Sequence, residues 1–338
     1  MARSKRDNYL SRTFHGLAVG YFMSFVLGTI CQEIGQLFHL SLLNQWGIIL
    51  TYMLGPIIGT TMAWCMEAKG INLVTACLAG MIGAGTLVVD GSHVTLTTGS
   101  PFLAYLAVIL TVEVVRLIQG KTSLDWLLAP IVALICSGVF IWFIKPFYLQ
   151  LLYWFQDLML QCTQLPLVLM GMCVALLSAV ITTSPLTSLF LMSVLSGLDG
   201  VVLGCVLAGV CGQMVGLAVM SIHDNPIGNV LAVSIGTSFL QFKNIIKRPL
   251  IWVPPLIASL ISGILTALLS LSCTVQGASL GLTGLIGLRE AMRLMSPTYW
   301  IVFILIDVVL PMGICFGMYK AMRKLNYIKS GDMYISGI

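Results

Sequence analysis

An all-α protein that crosses a membrane many times is the fold class this sequence predicts, and three observations predict it. Of its 338 residues 58% are hydrophobic and only 9% charged, with a mean hydropathy of +1.01, whereas soluble domains carry roughly a quarter charged residues. Apolar runs near the ~20 residues needed to cross a bilayer recur along the whole chain. The short alternating segments of a membrane β-barrel are missing. The expectation is a polytopic protein of about 8–10 transmembrane helices plus re-entrant segments, with a parallel internal repeat.

Residues 1–13 form a basic tail with Arg3, Lys5, Arg6 and Arg12. No small-residue cleavage site follows the apolar run from Leu17 to Ile30, so the first helix is expected to be retained. Spans are expected at 14–31, 46–66, 71–89, 102–118, 123–144, 165–183, 201–221, 249–271 and 298–320. Segments 33–44 and 146–163 mix aromatic and polar residues. They read as interfacial extensions or as further turns of longer, tilted helices. Segments 184–199, 226–244 and 276–288 are apolar but interrupted, the pattern of re-entrant hairpins or broken helices. Lys320, Arg323, Lys324 and Lys329 make the far end basic as well, with a second tail at 323–338. The positive-inside rule then puts both ends in the cytoplasm and makes the number of crossings even.

The net charge of +5 sits mainly in these ends. It suits orientation and contact with anionic membrane lipids, not nucleic acid. The 10 cysteines show neither metal spacing nor a disulfide framework, and Cys77, Cys136, Cys205, Cys211 and Cys315 lie in apolar runs as packing residues. No metal site, cofactor site or catalytic set is expected: no hydrolase or kinase motif appears, and the four histidines are scattered.

The chain reads as a single integral membrane domain, 1–338, carrying a degenerate copy of itself at 46–145 and 168–272. An offset of 129 carries Pro56 onto Pro185, Leu78-Ala79-Gly80 onto Leu207-Ala208-Gly209, and Gly83 onto Gly212. An offset of 125 carries Ser100-Pro101 onto Asn225-Pro226, and Pro130, Ala133, Ser137 and Gly138 onto Pro255, Ala258, Ser262 and Gly263. Lys121 and the pair Lys247-Arg248 precede equivalent helices, which favours copies running in the same direction. Beyond the repeats, 273–322 holds a Gly-rich re-entrant segment and the last span.

Polar residues gather where the two copies break. In the first copy these are Asp90, His93, Thr98 and Ser100; in the second, His223, Asp224 and Asn225, followed by Asn229 and Thr237. Proline disfavours helix in the residue before it, so each break should end one helix and start another, with Ser100 and Asn225 as N-caps. Asn229, Ser234, Thr237 and Gln241 fall on one face if the following stretch is a continuous helix. Such a stripe lines a cavity or glues helices together. Glu113 pairs by spacing with Arg116, and an intramembrane carboxylate is a candidate for function. Asp307 is a second one, inside the last span. Arg289, Glu290 and Arg293 form an interfacial cluster or contact an anionic ligand. Thr283 adds a hydroxyl within the glycines from Gly277 to Gly287, which lack the Gly-Lys-Ser/Thr ending of a phosphate loop.

The stretch from His223 to Asn229, with Ala232 to Ser238, Pro249 to Pro255 and Ile181 to Pro185, resembles enzyme IIC, the membrane component of bacterial phosphotransferase systems. The closer resemblance is to the subgroup that includes the perfringolysin O regulator, PfoR, and it covers roughly residues 15–325. That resemblance implies a homodimeric sugar transporter of the inner membrane, with hairpins, a polar site bearing a carboxylate, and elevator-like alternation. Phosphorylation would fall to a separate cytoplasmic IIB protein, so the chain itself is a transporter component and not an enzyme. The solute is expected to be a sugar or other small polar or anionic metabolite. Its site is expected between the copies at Asp90, His93, Thr98, Ser100, His223, Asp224, Asn225, Asn229 and Thr237, with Glu113 and Thr283 further out. The rival readings are a secondary, ion- or proton-coupled transporter without phosphorylation, and a ligand-sensing membrane regulator of gene expression.

Overall fold

The computed structural model describes residues 2–121, 123–295 and 299–335, with the backbone alone at 2–8, 89 and 90. The chain is all-α apart from one small hairpin, as its composition demands, because a helix satisfies every backbone polar group within its own segment. It forms two compact units, Met1–Gln150 and Leu151–Gly337.

In the first unit, α1 (Ala2–Tyr21) passes through a π turn at Phe22–Val26 into α2 (Leu27–Leu37). The apolar stretch Tyr9–Leu37 is thereby one helical run of 29 residues, which absorbs part of the segment expected to lie at the interface. Helices α3 (Ser41–Tyr52) and α4 (Leu54–Cys65) meet at a bend of 61°. Helix α4 packs on α5 (Ile71–Ala84) through small residues: a Cβ on Gly59 would lie 2.2 Å from the Ala76 carbonyl oxygen. Helix α5 stops at Gly85, whose φ of 69° is left-handed and closes the helix end.

The chain then turns through a two-stranded antiparallel hairpin, β1 (Leu87–Asp90) and β2 (His93–Leu96), pairing Leu87 with Leu96 and Asp90 with His93. Pro101 opens α6 (Pro101–Ile118), and α7 (Asp125–Thr163) follows. Helix α7 is continuous for 39 residues through Pro130 and Pro146, so 146–163 consists of further turns of a long helix. At 1.5 Å per residue it measures about 59 Å. The boundary between the two units falls inside it.

The second unit is built on α10 (Gly200–Ser221), in which every residue from Leu203 to Ser221 is buried. Around it pack α8 (Leu167–Thr183), α13 (Val253–Leu268), α14 (Val275–Leu280) and α17 (Leu310–Lys324). Glycine makes this possible: a Cβ on Gly204 would lie 2.0 Å from the Leu271 carbonyl oxygen. Helix α9 (Thr187–Val194) is short.

The stretch after Pro226 is broken. It runs as α11 (Ile227–Leu231), a π turn at Ala232–Gly236, extended Thr237, a 3-10 turn at Ser238–Gln241 and α12 (Phe242–Lys247). Thr237 breaks the helix because its hydroxyl accepts from the Phe239 amide two residues on, in competition with helical bonding. The Gly-rich stretch also breaks, with Gly281, Gly284 and Leu285 at positive φ between α14 and α15 (Ile286–Leu294). Helix α16 (Trp300–Ile304) joins α17 through a π turn at Leu305–Val309.

Among the described residues, six helices are long and apolar enough to cross a membrane, or up to seven when the bent α3–α4 pair counts as one span. Three shorter apolar helices, Ile71–Ala84, Leu167–Thr183 and Ile227–Gly236, complete the set, so the expected 8–10 spans require these shorter ones to cross too.

Candidate functional site

In the first unit, the polar residues of the break lie on the hairpin. His93 is exposed on β2, and the side chain of Asp90 lies outside the described residues. Thr98 is half-buried. Ser100 does cap a helix: its hydroxyl accepts from the Leu103 amide at 3.4 Å, ahead of Pro101 at the first helical position. Glu113 accepts from Tyr9 Oη at 2.7 Å and from Arg116 Nη1 at 2.8 Å, and Arg116 also donates to the Met66 carbonyl. The Glu113 side chain keeps 42% of its exposure and is shared by Tyr9 and Arg116.

The second unit holds two groups of polar contacts, one around Gln213 and one around Gln241 and Asn244. Gln213 lies midway along α10 and is fully buried. Its Oε1 accepts from Trp252 Nε1 at 3.0 Å and from Thr183 Oγ1 at 3.2 Å, while its Nε2 donates to Ser259 Oγ at 3.4 Å. Thr183 Oγ1 also lies 3.3 Å from Ser238 Oγ, at the start of the 3-10 turn. At the other end of that turn, Gln241 and Asn244 bond each other, Asn244 Nδ2 donating to Gln241 Oε1 at 2.7 Å. Nearby, Thr283 Oγ1 donates to the Gly236 carbonyl at 2.7 Å, which ties the Gly-rich break to the break at Thr237.

Asp224, Asn225 and Asn229 bond the backbone of residues 333–335, while Asp224 also accepts from the Ser330 hydroxyl at 3.5 Å and Asn225 also donates to the Ser221 carbonyl at 3.1 Å. Asp224 Oδ2 accepts from the Met333 amide at 3.2 Å. Asn225 donates to the Met333 carbonyl at 2.8 Å and accepts from the Ile335 amide at 2.8 Å. Asn229 Nδ2 donates to the Ile335 carbonyl at 3.4 Å. Gln241 reaches the Met333 carbonyl at 3.1 Å, and Asn244 reaches the Tyr334 carbonyl at 3.1 Å. Arg248 pairs with Asp332 at 2.9 Å. Asn225 therefore spends its side chain on this segment instead of capping α11, whose N-cap is Pro226. His223 is exposed, with its ring 6.2 Å from that of Tyr319, one turn before Arg323.

The level of these groups follows from helix rise. Eight residues of α10 separate Gln213 from Ser221, a climb of about 12 Å. The Gln213 group is thus near mid-span, and the Asp224–Asn244 group is at a span end. Asp307 is 1% exposed on its π turn, and both its oxygens are buried without a hydrogen-bond partner. Glu290 gathers Arg289 at 3.1 Å, Arg293 at 3.0 Å and Thr274 at 3.3 Å. Burial works to raise its carboxyl, but the Arg293 hydrogen bond and the charges of Arg289 and Arg293 outweigh that and hold it below the usual carboxylate value. Beside α10 lies a cleft of about 480 Å³ lined by Val215, Val219, Ile222, Leu282, Leu285 and Val308, with Ser234 its one hydroxyl-bearing wall residue. Its lining suits a hydrocarbon chain, not a polar solute.

Sequence reasoning put Asp224, Asn225, Asn229 and Thr237 in a site between the two copies, together with Asp90, His93, Thr98, Ser100 and His223, and Thr283 further out; within the second unit, Asp224 to Thr237 lie along one broken stretch and Thr283 bonds its Gly236 carbonyl. It left Gln213, Thr183, Ser259 and Trp252 out of that site. The available signal was Gln213 itself, the single amide in an otherwise apolar 22-residue span. Among the described residues no group of three or more His, Cys, Asp or Glu side chains is placed to hold a metal ion.

The family model described as "Phosphotransferase system, EIIC" matches residues 11–335. No curated protein and no solved structure matches the chain.

Proposed function

The chain belongs to the phosphotransferase system EIIC family, and from that premise, which makes it a multi-pass membrane transporter component, we propose that a small polyhydroxylated solute such as a sugar crosses by way of the polar path of the second unit. The observation that carries this reading is the buried group in which Thr183 bonds both Gln213 and Ser238, followed along the same broken stretch by the bonded pair Gln241 and Asn244. Amides and hydroxyls both donate and accept, which matches the chemistry of sugar hydroxyls, and inside a membrane such groups are costly unless they serve. Gln213, Thr183, Ser238 and Trp252 form the mid-span station. Asp224, Asn225, Asn229 and Asn244 form the exit, and Thr237 and Thr283 form the joint that lets the broken stretch move.

The solute path opens to one side at a time, a separate IIB protein phosphorylates the solute on the cytoplasmic face, and two copies of the chain act as a homodimer in the inner membrane. Within the first unit, Asp90, His93, Thr98, Ser100 and Glu113 are that unit's own candidate contacts for a solute. The internal repeat is part of the proposal as well.

Uptake into proteoliposomes tests the reading, with a panel of labelled sugars and with or without the soluble phosphotransferase proteins. Uptake that requires IIB is expected. Flux without it indicates a secondary transporter instead, and saturable binding without flux indicates a sensor. Gln213→Leu is expected to abolish uptake and to cost about 1–3 kcal/mol of stability, because Trp252 Nε1 loses its acceptor, whereas the Thr183 hydroxyl keeps the Ala179 carbonyl. Unchanged uptake in a folded Gln213→Leu chain removes the mid-span station.

A further inference from the structure

We propose that the segment 328–335 is a reversible plug, seated in the amide cradle at the end of the polar path and released when the path opens. The inference rests on the reading of that path as the solute route and adds a regulation to it.

Six hydrogen bonds hold the plug through its backbone: one from the Met333 amide to Asp224, one from the Ile335 amide to Asn225, and four from the side-chain amides of Asn225, Asn229, Gln241 and Asn244 to carbonyls of residues 333–335, and the Ser330 hydroxyl adds a side-chain bond to Asp224 at 3.5 Å. The polar groups of the cradle read the main-chain amides and carbonyls at the end of a turn, in which the Tyr334 amide donates to the Gly331 carbonyl and Gly331 stands at a φ of 86°. They are also the groups that would grip the hydroxyls of a departing solute, so peptide and solute compete for the same donors and acceptors. Outside this cradle the segment is held lightly. Ile328, Met333 and Ile335 are its buried side chains, Arg248–Asp332 is its ion pair to the body, and Leu325, Asn326 and Tyr327 leading into it are exposed. A short segment with few buried apolar contacts opens at far less cost than the fold as a whole.

The test uses the full chain in nanodiscs and in proteoliposomes. Met333→Lys places a charge where the structure has a fully buried side chain, which evicts the plug without touching a spanning helix. A fluorescent peptide of residues 328–335 is expected to bind this variant saturably and to bind the unaltered chain weakly, since the resident segment competes. Adding Asn225→Ala and Asn244→Ala is expected to weaken peptide binding about tenfold or more, the effect of losing ~1.4 kcal/mol. Uptake by Met333→Lys is expected to exceed that of the unaltered chain and to fall when the peptide is supplied on the cradle side.

The proposal is overturned if the peptide fails to bind a Met333→Lys chain of unchanged melting temperature, or if uptake is the same with and without the plug. If Met333→Lys itself lowers the melting temperature, a chain ending at Lys329 takes its place in both measurements. Should no chain move any solute, the route reading fails, and peptide binding decides alone whether the cradle exchanges its occupant.

Discussion

At Glu290 one carboxylate serves two guanidinium groups and a threonine hydroxyl, and its side chain is only 12% exposed. The arginines outweigh burial, so the carboxyl sits below its ordinary value in the folded chain. A depressed carboxyl stabilises the fold above its unfolded-state value and loses that contribution as pH falls through the folded value. Thermal melts from neutral pH downwards are therefore expected to show an acid loss of stability that Glu290→Gln reduces, with the variant less stable than the parent near pH 7. A parallel pair of melting curves at all pH values would sink this assignment. At the same scale, sequence reading did well where chemistry is local. Ser100 before Pro101 is a cap, and Glu113 pairs with Arg116 three residues on. It did less well for Asn225, because the partner of that side chain lies 108 to 110 residues away in sequence.

Helices in this protein are brought together by glycine, and α10 shows how tightly. With 2.0 Å between a Cβ built on Gly204 and the Leu271 carbonyl oxygen, Gly204→Ala cannot be accommodated unless backbone moves. Overpacking of a tight contact costs about 1–3 kcal/mol or more. A clear drop in detergent melting temperature is expected for Gly204→Ala, with little change for Gly138→Ala, where a Cβ would meet nothing within 4 Å. Equal melting temperatures for the two variants would mean that the α10 contact is loose. On the proposed internal repeat, the elements account for the change of offset between the copies. Helix α5 ends at Gly85, whereas Met214 occupies the matched position 129 residues on and α10 continues to Ser221. The hairpin 87–96 fills the extra length of the first copy, since 17 residues separate Gly83 from Ser100 and 13 separate Gly212 from Asn225. From the sequence this hairpin read only as a polar connection, because its alternation is too short to stand out. The single long α7 was likewise hidden by its two prolines, which ordinarily end helices.

For the molecule as a whole, the basic residues near both ends predict the orientation. Arg12 lies in the first turns of the apolar stretch Tyr9–Leu37, and Lys320, Arg323 and Lys324 lie in the last turns of Trp300–Lys324. Both ends are expected on the cytoplasmic side, which the positive-inside rule requires. Tags fused to each end should resist added protease in intact spheroplasts and be cut after lysis. Cleavage of one tag alone in intact cells would make the number of crossings odd and overturn the arrangement.

By itself, the sequence determined the class of this protein. Few charges, long apolar runs and basic ends leave a helical multi-pass membrane protein as the only way to keep the backbone satisfied in lipid. It also marked where helices break, since proline, glycine and short-range hydroxyl bonds act within a few residues. Only the tertiary structure decided what the polar residues do. Gln213, Thr183, Ser259 and Trp252 are far apart in sequence, and they become one hydrogen-bonded group because α8, α10 and α13 pack face to face. The cradle residues Asp224, Asn225, Asn229 and Gln241 were legible as polar, but their occupant was not. A side-chain amide bonds whatever main chain the fold brings within 3 Å of it, and no local spacing encodes which segment that will be.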